Sequence, residues 1–314
     1  MSSDDFEAFE EILKLSSEGI VDYQGLISIS ILIHFYLLTK YKNKCIFIGP
    51  TGYLDRRTYE FIEENINSLL TTYEKCNDSH ILCISISKHI NADSWHRNML
   101  IINPILKKIE LYEPHGNRFT ERDNQFLKNI ETYFRENGTK DKSKNIEIDY
   151  DFSLNACPYL YNPYIKKGIG IQAYDGELDS NRKFIQYQNQ ILKEPRGFCT
   201  MWSWLLMEFR LMYPDKTISE YSRLLQSTYL HNERYMWRKF IRGYTYGIIQ
   251  KINALINDFL TKNSEYARSN NILFGRDITY EQLSKLPDDN ILKKDIHSAI
   301  TRSITHIMKL NLRI

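Results

Sequence analysis

Hydrophobic positions along this chain recur mostly at three- and four-residue intervals, but in the middle the apolar runs become short, continuous or alternating. The first pattern predicts helices and the second predicts strands. Residues 4–16 set Phe6, Phe9, Ile12 and Leu13 on one side of an acidic amphipathic helix. Residues 22–42 predict a buried helix, although the Ile-Ser-Ile-Ser-Ile alternation starting at Ile27 also suits a strand. A short strand over 45–48 ends in the breaker run 49–52, and a helix over 55–74 follows with Tyr59, Ile62, Ile66, Leu69 and Leu70 in its stripe. Strands are predicted over 80–86, 97–102 and 108–112, the last two as a hairpin around 103–107. A polar helix over 121–137, a solvated lysine-rich loop over 138–144, and strands over 146–150 and 169–173 come next. The polar stretch 174–196 reads as a long loop.

The most continuous apolar surface lies at 197–210. Cys199, Trp202, Leu205, Leu206 and Phe209 fall at the spacing of one buried helical face, and Trp204 and Met207 carry the apolar surface to the other side. Such a helix runs through the middle of a domain. Beyond it, 218–230, 233–261 and 289–308 are predicted as helices, with the softest junction at 262–278. Helices and strands that do not alternate regularly predict an α+β fold. The expected division is an N-terminal helical extension with a short strand (1–78), a central core (79–216) and a C-terminal helical lobe (217–314).

Composition narrows the classes. At 314 residues with 42% hydrophobic and 25% charged residues, the chain has the material for a sizeable core. A formal net charge of +2 offers no basic face, so nucleic acid is not an expected partner. The apolar run 26–38 is too short to cross a bilayer and is interrupted by His34, so no membrane association is expected. The cysteines are Cys45, Cys76, Cys83, Cys157 and Cys199, an odd set with no CxxC and no Cys/His cluster at zinc spacing. With no recognisable secretory signal, this pattern predicts a reducing, cytoplasmic setting and no structural metal.

One thiol has a chemical setting. Cys199 opens the central helix, and the partial positive charge of a helix N-terminus favours an anionic nucleophile placed there. A base is predicted upstream. His96 opens the first hairpin strand and Glu113, 17 residues later, closes the second, which brings the two ends side by side. A carboxylate there accepts a hydrogen bond from one imidazole nitrogen, fixes the tautomer, and leaves the other nitrogen for the thiol. His115 competes for the base role but follows Pro114, which breaks its strand. Trp95 and Trp202 are candidate substrate contacts, with core packing as the competing role for Trp202 and Trp204.

Trp95-His96 ahead of two hairpin strands, Tyr112-Glu113-Pro114-His115-Gly116 at the end of the second, and Gly197-Phe198-Cys199-Thr200-Met201-Trp202-Ser203 opening the buried helix together resemble the catalytic core of the ubiquitin-like-protein protease superfamily. That superfamily includes SUMO-deconjugating and adenovirus-type cysteine proteases, and the resemblance is closest to versions carried by large cytoplasmic DNA viruses. It covers roughly residues 80–215. It implies a papain-like core in which a helix bearing the nucleophile packs on a mixed sheet bearing His and acid. It also implies cleavage after small residues, Gly-Gly or Gly-x, with no cofactor. The implied substrate is either a viral structural protein undergoing maturation or a ubiquitin- or SUMO-like conjugate. The implied location is host cytoplasm, with the virion as a second destination.

Three features depart from that pattern. Glu113 stands where the SUMO proteases have Asp, as it also does in YopJ-type acetyltransferases. The familiar Trp follows the His, whereas Trp95 precedes His96. The oxyanion Gln is expected about six residues before the Cys, where this chain has Lys193. Gln172, in a Gly-x-Gln run after Cys157-Pro158, is the substitute that the resemblance implies, with Gln188 and Gln190 as alternatives. Acyl transfer by the same triad and a catalytically inactive virion or host-binding module are the rival readings.

Overall fold

The computed structural model describes residues 29–41, 52–53, 82–91, 94–103, 108–112, 147–148, 160–162, 167–169, 184–187, 190–193, 198–213 and 234–262, together with positions 11, 14–15, 114, 215–216, 220 and 294. The strands predicted at 45–48 and the helices predicted at 55–74, 121–137 and 218–230 lie outside these residues apart from Glu220, which is helical, as do all but Lys294 of 289–308. Clustering of backbone contacts divides the chain into two compact units. One is Asn43–Ile241, and the other combines Met1–Lys42 with Arg242–Ile314.

In the first unit the largest sheet has five strands in the order β1-β2-β3-β4-β5: β1 (Gly52–Tyr53), β2 (Leu82–Asn91), β3 (Ser94–Asn103), β4 (Lys108–Tyr112) and β5 (Glu147–Ile148). β2, β3 and β4 form an antiparallel meander, and β1 and β5 add to its edges in parallel. The hairpin of β3 and β4 is the one that the alternation predicts, but β3 starts at Ser94 rather than at 97. Pairing with β2, which itself runs on to Asn91, extends it. Two two-stranded hairpins complete the sheets among the described residues: β6 (Leu160–Asn162) with β7 (Lys167–Ile169), and β8 (Phe184–Tyr187) with β9 (Gln190–Lys193). The second hairpin lies inside the stretch expected to be a loop.

The unit's core is built on the helix Cys199–Met212, every residue of which is buried except Thr200 and Met212. It packs against β3. Met99 and Ile101 alternate onto one face of β3, Tyr112 faces Met99 across the ladder, and all three are fully buried. The helix Arg234–Lys262 begins in this unit and carries the Asn43–Ile241 boundary within it.

In the second unit, Ile29–Lys40 is helical, which decides the Ile-Ser-Ile-Ser-Ile ambiguity in favour of a helix. Ile33, Tyr36 and Leu37 are buried, at helical spacing. Lys40 lies 5.7 Å from the ring centroid of Tyr36 and 5.3 Å from that of Tyr41. A Cβ on Gly247 would stand 3.0 Å from Leu15 Cδ1, so the backbone there approaches the N-terminal segment at a distance that only glycine leaves comfortable. The helices are labelled below as α1 (Ile29–Lys40), α2 (Cys199–Met212) and α3 (Arg234–Lys262).

The compact units therefore differ from the expected 1–78, 79–216 and 217–314 division. Gly52 and Tyr53 pair with Ile86 and Ser87, which ties the chain from 43 onward to the sheet. Trp237 and Phe240 pack on Trp202, which ties the start of α3 to the same unit. No helix among the described residues is long and apolar enough to cross a membrane.

Candidate active site

Cys199 is the first residue of α2, where the Glu194-Pro195-Arg196-Gly197 breaker run in front of it and the apolar period behind it predict a helix start. Phe198 sits at the helix start with φ −63° and ψ −2°, and its carbonyl accepts the Trp202 N–H at 2.8 Å. It supplies no side-chain cap. Packing holds the turn on its buried side. Phe198 is 1% exposed and Cys199 6% exposed, and the Arg238 guanidinium lies 4.7 Å from the Phe198 ring centroid. The amides of a helix's first turn have no acceptor within the helix, so the backbone beside Cys199 forms an N-terminal donor cluster. That is the arrangement an oxyanion needs.

Trp202 lies one turn further along α2. Its ring centroid is 6.0 Å from that of Trp237 at 46°, and 6.5 Å from that of Phe240 at 27°. It is fully buried. An indole enclosed in this way has no surface to offer a substrate, so the substrate-contact expectation for Trp202 gives way to core packing. Trp204 is also fully buried.

His96 lies on β3 opposite Lys88, and Trp95 lies opposite His89. The β2–β3 ladder has its one register irregularity between His89 and Asn91, immediately beside these two residues. Irregularities of this kind bend a strand and re-aim side chains near reactive sites. His96 does not open its strand, as expected from sequence, but stands in its third position. The β3–β4 ladder ends at the Met99–Tyr112 pair. His96 is three residues before Met99, and Glu113 is the residue after Tyr112. Because α2 packs against β3, the elements bearing Cys199 and His96 are neighbours.

Glu113, His115, Gln172 and Gln188 lie outside the described residues. Gln190 opens β9, paired with Tyr187, and Lys193 ends β9 opposite Phe184. Of the strand expected over 169–173, Ile169 is the last residue of β7, Lys167–Ile169, and 170–173 lie outside the described residues.

Sequence patterning missed the buried charges. Glu208 and Arg210 on α2 and Arg238 on α3 are all buried. Arg238 adjoins the stripe of Trp237, Phe240 and Ile241, and a charge beside an unbroken apolar stripe is the signal that could have drawn attention to it. Among the described residues no group of three or more His, Cys, Asp and Glu side chains could hold a metal ion.

No family model matches the chain, and no solved structure matches it. The chain is similar to a putative ankyrin repeat protein of Acanthamoeba polyphaga mimivirus, 29% identical over 190 residues. That alignment takes in 57% of this chain and spans about a fifth of the relative's length, 22%. The ankyrin signature T-P-L-H-x-A does not occur in this chain.

Proposed function

We propose that the chain is a thiol protease of the ubiquitin-like-protease type, with an α+β, papain-like core and additional helices at both ends. The observation that carries this reading is the placement of Cys199 at the first residue of a buried helix that packs against the strand bearing His96. Cys199 Sγ attacks the scissile carbonyl, and His96 takes the thiol proton and returns it to the leaving amine. Glu113 accepts a hydrogen bond from the imidazole and holds its tautomer. The Cys199 N–H and Gln172 receive the oxyanion. Water then hydrolyses the thioester with His96 as base, and this chemistry calls for no metal or cofactor. The substrate is a polypeptide with small residues before the cut, either a viral structural protein or a ubiquitin- or SUMO-like conjugate. Similarity to a mimivirus protein supports a viral setting, with host cytoplasm or the virion as the place of action. A second reading, a binding module that keeps the fold without the activity, draws on Lys193, which stands in a hairpin strand where the resemblance expects the oxyanion Gln.

The test is covalent. A ubiquitin or SUMO vinyl-sulfone probe and a Gly-Gly-x peptide are offered to the wild-type chain and to Cys199→Ala. An adduct on Cys199 and cleavage by wild type alone support the reading. Labelling that survives Cys199→Ala sinks it, and acetyl-CoA turnover in place of cleavage moves the triad to acyl transfer.

The oxyanion assignment has its own test. Gln172→Ala is expected to lower kcat by about 100- to 1,000-fold with little change in KM, the usual effect of losing one oxyanion donor. Gln190→Ala serves as the comparison, because Gln190 is fixed in β9 as the partner of Tyr187. If the loss appears at Gln190 and not at Gln172, the role passes to the hairpin.

A further inference from the structure

We infer that Arg238 is a positioning residue for the nucleophile, acting on Cys199 through the ring of Phe198. The inference rests on reading Cys199 as the nucleophile, and the experiment below separates failure of one from failure of the other. Three observations meet here. The Arg238 guanidinium lies 4.7 Å from the Phe198 ring centroid, and Arg238 is 7% exposed. Phe198 is the residue whose backbone starts α2, and its peptide bond leads directly into Cys199. One turn on, Trp202 sits against Trp237 and Phe240, so the start of α3 touches the Cys199 helix on both sides of the nucleophile's turn.

The chemistry of the contact suits that role. A desolvated guanidinium over an aromatic face holds both groups in a defined geometry, and it does so more strongly than an exposed pair. Phe198 stands at the helix start, so its ring is a handle on this turn. Small displacements of a reacting atom are costly: about 1 Å can lower a rate by 100-fold. Holding Phe198 therefore acts on the approach of Cys199 to a bound carbonyl. It does not act on substrate affinity.

The experiment is a double-mutant cycle on the full chain with Arg238→Met, Phe198→Leu and their combination, and with Arg238→Lys as the conservative variant. On a Gly-Gly-x peptide, Arg238→Met and Phe198→Leu are each expected to lower kcat by about tenfold with KM nearly unchanged. The double variant is expected to be no worse than the poorer single one, because both remove the same contact. Arg238→Lys keeps the cation and is expected to recover most of the rate. Unchanged kcat, a loss confined to KM, or losses that multiply would overturn the inference. If the wild-type chain cleaves no peptide, the protease reading fails by itself, and the rate of Cys199 alkylation by iodoacetamide then runs the same cycle. A non-additive slowing upholds the role of Arg238, and unchanged or multiplying rates reject it. Should Arg238→Met not fold, Phe198→Leu against Arg238→Lys keeps the test. A slowed first variant beside a near-normal second supports the contact, and the reverse order rejects it.

Discussion

Cys199→Ala is expected to lower peptide cleavage by on the order of 10⁴-fold or more, to the level left by substrate binding and oxyanion donors alone. His96→Asn is expected to fall nearly as far, since a thiol without its base is a poor nucleophile and the leaving amine loses its proton source. Glu113→Gln is expected to lose less, roughly 10²- to 10⁴-fold, because the amide keeps a hydrogen bond to the ring but no longer stabilises the imidazolium. Members of one catalytic unit do not act additively, so Cys199→Ala combined with His96→Asn is expected to be no slower than Cys199→Ala alone. Steady-state kinetics on a Gly-Gly-x peptide read all four. Equal, mild losses at the three positions would mean that they do not form a unit. A rate for Glu113→Gln like the wild type's would reassign the acid.

Which parts of the site are legible in the sequence depends on which interactions set each element. α2 was legible because local patterning suffices for it: apolar residues at every helical register, a breaker run in front, and a thiol at the first turn. The β3–β4 hairpin was legible for the same reason, but its start was not. Trp95 and His96 enter the strand because β2 extends to Asn91 and offers Lys88 and His89 as partners, a non-local pairing that no window over 94–103 contains. β1 is two residues held by Ile86 and Ser87, with no pattern of its own. The two residues between β8 and β9, 188–189, are Gln-Asn and not the Asn-Gly or Asp-Gly pairs that announce a tight hairpin, so the sequence pattern there predicts a loop. Buried polar residues were hidden for a different reason. The pattern makes α2 a buried helix but says nothing of what Ser203, Glu208 and Arg210 meet there, because their surroundings are supplied by other elements. Arg238 was hidden likewise: a charge on a long helix reads as solvated until Phe198 is found beneath it. What remained legible was residue chemistry tied to local geometry. Partners supplied from elsewhere in the chain were not.

The second large effect concerns stability, and Trp202 carries it. Trp202→Ala is expected to destabilise the chain by about 3–5 kcal/mol, the usual cost of emptying a large aromatic site in a core. The site cannot easily collapse. Trp202 is fully buried with Trp237 and Phe240 at its ring, and the helix that bears it is fixed along its length by burial on all sides. Trp202→Phe keeps an aromatic surface for both neighbours and is expected to lose distinctly less. Urea unfolding followed by tryptophan-independent far-UV signal reads the difference as a lowered midpoint at unchanged slope, the sign of lost stability with no change in the states compared. A second readout separates packing from substrate contact. With Trp202 in the core, the KM of the folded Trp202→Phe variant stays near the wild-type value while its midpoint falls. A raised KM with an unchanged midpoint would return the residue to the substrate channel and contradict its burial. Any fall in kcat under folded conditions would come through geometry. The Trp202 N–H donates to the Phe198 carbonyl, and Phe198 leads into Cys199, so looseness at the tryptophan reaches the nucleophile within one helical turn.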